Sequence, residues 1–134
     1  MVRATMRGTM PRSVLEIRNL GPVEAADVTL GDLTVFTGPQ ASGKSIVLQT
    51  LKLALDQASI VRRMADQGLA WKDRGTFLEL YYGTGMRSLW TWATTARWEG
   101  APVKPSGTAS TRVADAEDRV SYIPAQRVMS LRDG

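Results

Sequence analysis

The chain has 134 residues and a formal charge of +4, and Arg3, Arg7 and Arg12 all precede the first acidic residue, Glu16, so the positive excess belongs to the N-terminus and not to a global nucleic-acid surface. It contains no cysteine and no histidine, which excludes disulfide scaffolding, Cys/His zinc sites, thiol nucleophiles and histidine triads. No apolar run is long enough to span a membrane and no secretory core follows the arginines, so the expectation is a cytoplasmic protein.

In chain order, residues 1–12 read as a disordered tail or a misassigned start, and residues 13–134 as the folded unit. From Val14 to Asn19, Leu15 and Ile17 alternate with Glu16 and Arg18 before the turn signal Gly21-Pro22, which predicts a half-buried strand. Asp27 to Leu30 reads as a second strand. Gly31-Asp32 is a glycine-first hairpin signal that would join it to a third, Leu33 to Thr37.

That third strand runs into Gly38-Pro39-Gln40-Ala41-Ser42-Gly43-Lys44-Ser45, which fits the P-loop (Walker A) pattern G-x-x-x-x-G-K-[ST]. The pattern answers a charge problem. Gly38 and Gly43 give the backbone freedom to bring N–H groups close to a polyphosphate, and a helix opening near Gly43 adds unpaired N–H groups and the positive end of its dipole. Lys44 would then act on the β- and γ-phosphates, and Ser45 would offer its hydroxyl to Mg²⁺. The alternative is a glycine turn between strand and helix with a solvated lysine.

Beyond the loop, Val47, Leu48, Leu51, Leu55, Ala58, Val61 and Ala65 recur at helical spacing, with Gln49, Lys52, Asp56, Ser59, Arg63 and Asp66 on the opposite stripe. This predicts one long core-packing helix over residues 44–66, stopped by Gly68. Seven of the nine aromatic residues then fall between Trp71 and Trp98. Their β-like runs, Phe77 to Tyr82 and Ser88 to Trp98 around Gly83-Thr84-Gly85, predict a second hairpin with Trp90 and Trp92 on one face and Leu89 and Thr91 on the other. Sheet packing is the ordinary role for such residues; base stacking or a protein interface is the alternative. Gly100 to Asp118 reads as a mobile loop or insertion, and Arg119 to Ile123 as a short strand stopped by Pro124.

The phosphate loop preceded by antiparallel strands narrows the class. A guanine-specific GTPase would carry N-K-x-D, but the single asparagine, Asn19, lies upstream of the loop. Three segments, Leu15-Glu16-Ile17-Arg18-Asn19-Leu20-Gly21-Pro22-Val23, Leu30 through Ser45, and Val120-Ser121-Tyr122-Ile123-Pro124-Ala125-Gln126-Arg127, resemble the N-terminal lobe of ABC-type AAA ATPases. That group includes the structural-maintenance-of-chromosomes, overcoming-lysogenization-defect and abortive-infection types. The resemblance covers residues 13–132 and implies an α/β P-loop NTPase fold, here an incomplete domain with antiparallel β elements flanking the phosphate loop and one long helix.

By position it implies that Gly38, Pro39, Gln40, Ala41, Ser42, Gly43, Lys44, Ser45 and Ile46 hold ATP, and that Gln126 is a Q-loop glutamine which, with Ser45, senses Mg²⁺ and, with Lys44, serves catalysis. The alternative reading of Gln126 and Arg127 is a pair of surface residues after a proline stop. Gln40 and Ala41 depart from the Asn-Gly common in such loops. No second apolar strand ends in Asp-Glu, since Val113-Ala114-Asp115-Ala116-Glu117-Asp118 is not of that kind. The signature motif and the switch histidine are absent as well.

The expectation is therefore an ATP-binding lobe whose hydrolysis needs a C-terminal half, from a longer product or a partner chain. The resemblance also implies a homodimer in the complete protein and DNA as a possible ligand. The alternatives are a stand-alone nucleotide-sensing or docking module and a small-molecule kinase.

Overall fold

In the computed structural model of the chain, residues 3–7, 13–105 and 119–120 are described, the first of these segments by its backbone alone. Strands β1 (Arg3–Arg7), β2 (Ser13–Leu20), β3 (Val23–Leu30) and β4 (Leu33–Thr37) precede helix α1 (Lys44–Asp66). Helix α2 (Arg74–Tyr82) and strands β5 (Thr95–Trp98) and β6 (Ala101–Pro102) follow. The larger sheet has the order β3-β2-β5-β6 and the smaller pairs β1 with β4, all antiparallel.

The larger sheet begins with a β2–β3 hairpin across the Gly21-Pro22 turn. Leu15 and Ile17 on β2 and Ala26 and Val28 on β3 point into the core with the two-residue period of a sheet with one wet face, and the irregularity at Asn19, φ +55°, shifts the phase so that Leu20 and Val23 are buried as well. On that wet face Glu16 lies opposite Asp27, a like-charge pair, and Arg18 relieves it with two hydrogen bonds to the Asp27 carboxylate at 2.7 and 3.1 Å. Both partners are solvated, so the pair fixes register more than it stabilises the fold.

Two strand expectations need correction. Gly31-Asp32 does not close a hairpin: β3 pairs with β2, and β4 pairs with β1, Arg3 standing opposite Thr37 and Arg7 opposite Leu33. The chain thus leaves one sheet for the other at this glycine, and a segment expected as part of a tail supplies the partner strand. A local turn signal says nothing of which distant strand competes for the same edge.

Helix α1 covers the span that the spacing predicts, but its buried face is rotated from the expected stripe. Val47, Thr50, Leu51, Leu53, Ile60, Val61 and Met64 are inside together with Asp56 and Ser59, while Ala58 and Ala65 face solvent. The helix is also kinked at Asp56, whose φ of −126° and ψ of 25° are not helical. Its carboxylate, 3% exposed, accepts the backbone N–H groups of Arg119 and Val120 at 2.8 and 2.7 Å and Lys52 Nζ at 3.3 Å. The helix ends as Gly68 suggests. With φ at +75°, Gly68 donates its N–H to the Ala65 carbonyl, and Leu69 donates to Met64, a Schellman closure.

The predicted aromatic hairpin is not formed. Phe77 to Tyr82 lies in α2, because Asp73 caps the helix by accepting the Thr76 N–H at 2.8 Å, and Phe77, Leu78, Tyr81 and Tyr82 then fall on one helical face. That bond, followed by Arg87, holds the Asp73 carboxyl below its ordinary range. Trp71, Phe77, Tyr81 and Tyr82 form a chain of ring contacts with centroids 4.9 to 6.0 Å apart. Here aromatic β-propensity yields to a cap and a helical contact pattern. Of Ser88 to Trp98 only the last four residues are a strand. Leu89 and Trp90 are both buried and Trp92 is 97% exposed, so the expected pairing of Trp90 with Trp92 does not occur. Residues 106–118 of the expected loop and residues 121–123 of the expected last strand lie outside the described residues.

Candidate nucleotide-phosphate site

The segment between β4 and α1 carries most of the candidate residues. Gly43 stands at the N-cap with φ of +97°, a left-handed conformation open to glycine, and offers no side-chain cap to the helix. A Cβ at this position would lie 2.5 Å from Val23 Cγ2, so the β2–β3 turn packs directly against the loop backbone. Val47 donates the first intrahelical bond, to the Gly43 carbonyl at 3.0 Å. The N–H groups of Lys44, Ser45 and Ile46 therefore have no acceptor within the helix, and no acidic side chain occupies its first turn. Uncapped N–H groups at the positive end of a 23-residue helix make an anion-binding corner.

Lys44 Nζ reaches back over the loop and donates to the carbonyls of Gly38 at 2.5 Å and Pro39 at 2.9 Å. This brings the ammonium to the mouth of the same loop that presents the N–H groups. Pro39 also accepts the Ser42 N–H at 3.3 Å, which tightens the turn. Ala41 adopts a left-handed φ of +61°, so the departure from glycine at this position is accommodated at a cost of about 1 kcal/mol. Ser42 Oγ is buried with no hydrogen-bond partner among the described residues, which marks a polar atom inside the loop available to a ligand. The Ser45 side chain is exposed beside it.

The loop forms one wall of a cavity of about 790 Å³, within the size range of small-molecule sites. Residues 40–46 line it, with Gly21-Pro22 from the β2–β3 turn and Met86 and Leu89 from the segment after α2. Gly21 leaves room for Leu89, since a Cβ there would lie 2.5 Å from the leucine Cδ1. Tyr82, also at the cavity, anchors α2 to α1: Thr50 Oγ1 donates to the Ile46 carbonyl at 2.7 Å, so the tyrosine hydroxyl 2.8 Å away must donate to Thr50. Burial pushes the Tyr82 hydroxyl up to about 12.

The structure thus brings together residues 38–46 and places Gln126 outside what is described. Reasoning from sequence missed the opposite wall. Gly21-Pro22 reads as a turn alone, and Met86 and Leu89 lie in a segment whose β-like pattern concealed its course. Among the described residues no group of three acidic side chains could hold a metal by itself, and no helix is long and apolar enough to cross a membrane. In comparisons with protein families, curated proteins and solved structures, nothing matches the chain.

Proposed function

We propose that the chain binds the triphosphate of ATP at residues 38–46, as the N-terminal lobe of an ABC-type AAA ATPase. The observation that carries this reading is the pairing of two features at one point: uncapped N–H groups at the start of α1, and Lys44 Nζ held at the loop mouth by Gly38 and Pro39. Both features depart from the ordinary case, in which a helix start is capped by a side chain and a lysine extends into water.

The donor set fits a polyphosphate better than a bare metal ion. Lys44 would exchange its two neutral carbonyl acceptors for anionic phosphate oxygens, so that both donor and acceptor of each bond are charged. The Lys44, Ser45 and Ile46 N–H groups would orient the same phosphates without moving, and buried Ser42 Oγ would gain a partner. Ser45 is the residue that would hold Mg²⁺, which neutralises phosphate charge when bound. The apolar wall of Pro22, Met86 and Leu89 would exclude water from one side.

Leu33 and Val35, on the strand that enters the loop, are 57% and 46% exposed, and among the described residues β4 has only β1 as a neighbour. An apolar strand with an unpaired edge supports a reading in which further strands, from this protein or a partner, complete the catalytic half.

A melting series tests the proposal. ATP with Mg²⁺ is expected to raise the melting temperature, by about 2.7 kcal/mol of stabilisation at one hundred times the dissociation constant, and inorganic tripolyphosphate should do the same at higher concentration. An unchanged curve for a folded sample at millimolar concentrations of both would overturn it.

A further inference from the structure

A second cavity, of about 460 Å³, lies at the opposite end of the segment after α2, between the start of that helix and the β5–β6 hairpin. Arg74, Arg97 and Lys104 line it with Trp92 and Thr95, and among the described residues no carboxylate does. We propose that this cavity binds single-stranded nucleic acid, one base stacking on Trp92 and the backbone phosphates running along the three cations.

The first support is the presentation of Trp92. A fully solvated indole is costly, and a flexible one would turn onto the nearby apolar surface. Here the tip is held from both sides. Thr94 N–H donates to the Thr91 carbonyl at 3.1 Å, Thr91 N–H donates to Thr94 Oγ1 at 2.9 Å, and Thr94 Oγ1 in turn donates to the Asn19 carbonyl at 2.5 Å. Asn19 Nδ2 closes the set on the Ala93 carbonyl at 3.2 Å. Trp92 is thereby the projecting residue of a four-residue turn bolted to β2, with an indole 97% exposed. An aromatic face displayed on rigid backbone is what stacking on successive bases requires.

The second support is the charge. Among the described residues, the acids close in sequence to Arg74 and Arg97 are engaged elsewhere: Asp73 by Thr76 and Arg87, and Glu99 by Ser13 Oγ at 2.6 Å. Glu16 stands opposite Arg97 across the sheet but forms no ion pair with it, and its charge acts on Arg18. Arg74 occupies the first position of α2, where the helix dipole opposes a cation and favours an anion beside it. Three cations without a carboxylate partner in the lining, next to a bare indole, call for a ligand that is both polyanionic and planar. An acidic peptide supplies the charge but no planar face, which favours nucleic acid.

The test is fluorescence anisotropy of the full chain with a labelled oligothymidylate of about 16 nucleotides. Binding is expected to weaken with salt at a log–log slope of about −2, as three phosphate contacts dictate, and Trp92→Ala should weaken it about 5- to 100-fold. Arg97→Ala and Lys104→Ala should each flatten the slope by about 0.7. A blunt duplex of equal length should bind more weakly, because its bases are already stacked. Trp92→Ala removes no contact from the core, so loss of folding would not explain its result. Absence of binding by the wild-type chain, binding indifferent to Trp92→Ala, or competition by polyglutamate equal to that by unlabelled oligonucleotide would overturn the proposal, the last in favour of an acidic protein partner.

Discussion

Gly43 and Val23 touch across the base of the loop between β4 and α1: the position a Cβ would take on Gly43 lies 2.5 Å from Val23 Cγ2. Gly43→Ala therefore meets two penalties, a left-handed φ of +97° and a clash with a buried side chain. The expected loss is about 2–4 kcal/mol in denaturant unfolding. Val23→Ala in the same chain should return only the clash, so the double variant is expected to be more stable than the sum of the single changes predicts. Strict additivity in that cycle would show that the two residues do not meet.

Asp56 is expected to be the most sensitive polar residue of α1. Asp56→Ala leaves the Arg119 and Val120 N–H groups and Lys52 Nζ without their shared acceptor, at a cost of about 2–4 kcal/mol. Asn keeps one acceptor oxygen and should recover part of that loss. Amide hydrogen exchange reads the local effect directly: the Val120 N–H should lose protection in Asp56→Ala before the core of α1 does. Equal protection in both proteins would mean that the carboxylate does not hold this segment.

These two sites also mark what is legible from sequence. The loop between β4 and α1, the β2 strand and the span of α1 follow from short-range rules, a motif between a strand and a helix and two periodicities. The burial of Asp56 does not, because it is bound to a backbone segment more than sixty residues away. The course of the aromatic stretch is hidden for a related reason. Phe, Trp, Tyr and Thr composition favours strand, but the single Asp73 cap commits Phe77 to Tyr82 to a helix, and the Thr91–Thr94 turn then sends Trp90 and Trp92 to opposite environments. The facing wall of the cavity at Met86 and Leu89 is legible only once that helix is known.

Tyr82→Phe removes the hydroxyl that donates to Thr50 and should cost about 0.5–1.5 kcal/mol at neutral pH. The pH dependence has a defined sign. Burial raises the hydroxyl from its ordinary 10 to about 12 in the folded chain, so the neutral form is favoured on folding. Its contribution is complete below pH 10 and is lost as pH rises through 12. The stability gap between wild type and Tyr82→Phe, measured in urea, should therefore narrow in that alkaline window. A constant gap from pH 7 upward would place the hydroxyl in water.

Purified chain is expected to bind ATP without appreciable turnover. Lys44 and Ser45 can position phosphates and one side of a metal ion, but among the described residues no acidic cluster stands near them to complete its coordination or to orient water. Steady phosphate release at about one per second, abolished by Lys44→Ala, would show that such a group is supplied. Asp115, Glu117 and Asp118, which lie outside the described residues, would be the first to substitute.

Calorimetry of ATP and adenosine on wild type and Lys44→Ala tests the central claim most directly. The ammonium at the loop mouth bears on phosphates alone, so Lys44→Ala should weaken ATP about 10- to 150-fold and leave adenosine unchanged. Equal loss of both ligands, or ATP affinity untouched by the substitution, would contradict a phosphate site at residues 38–46.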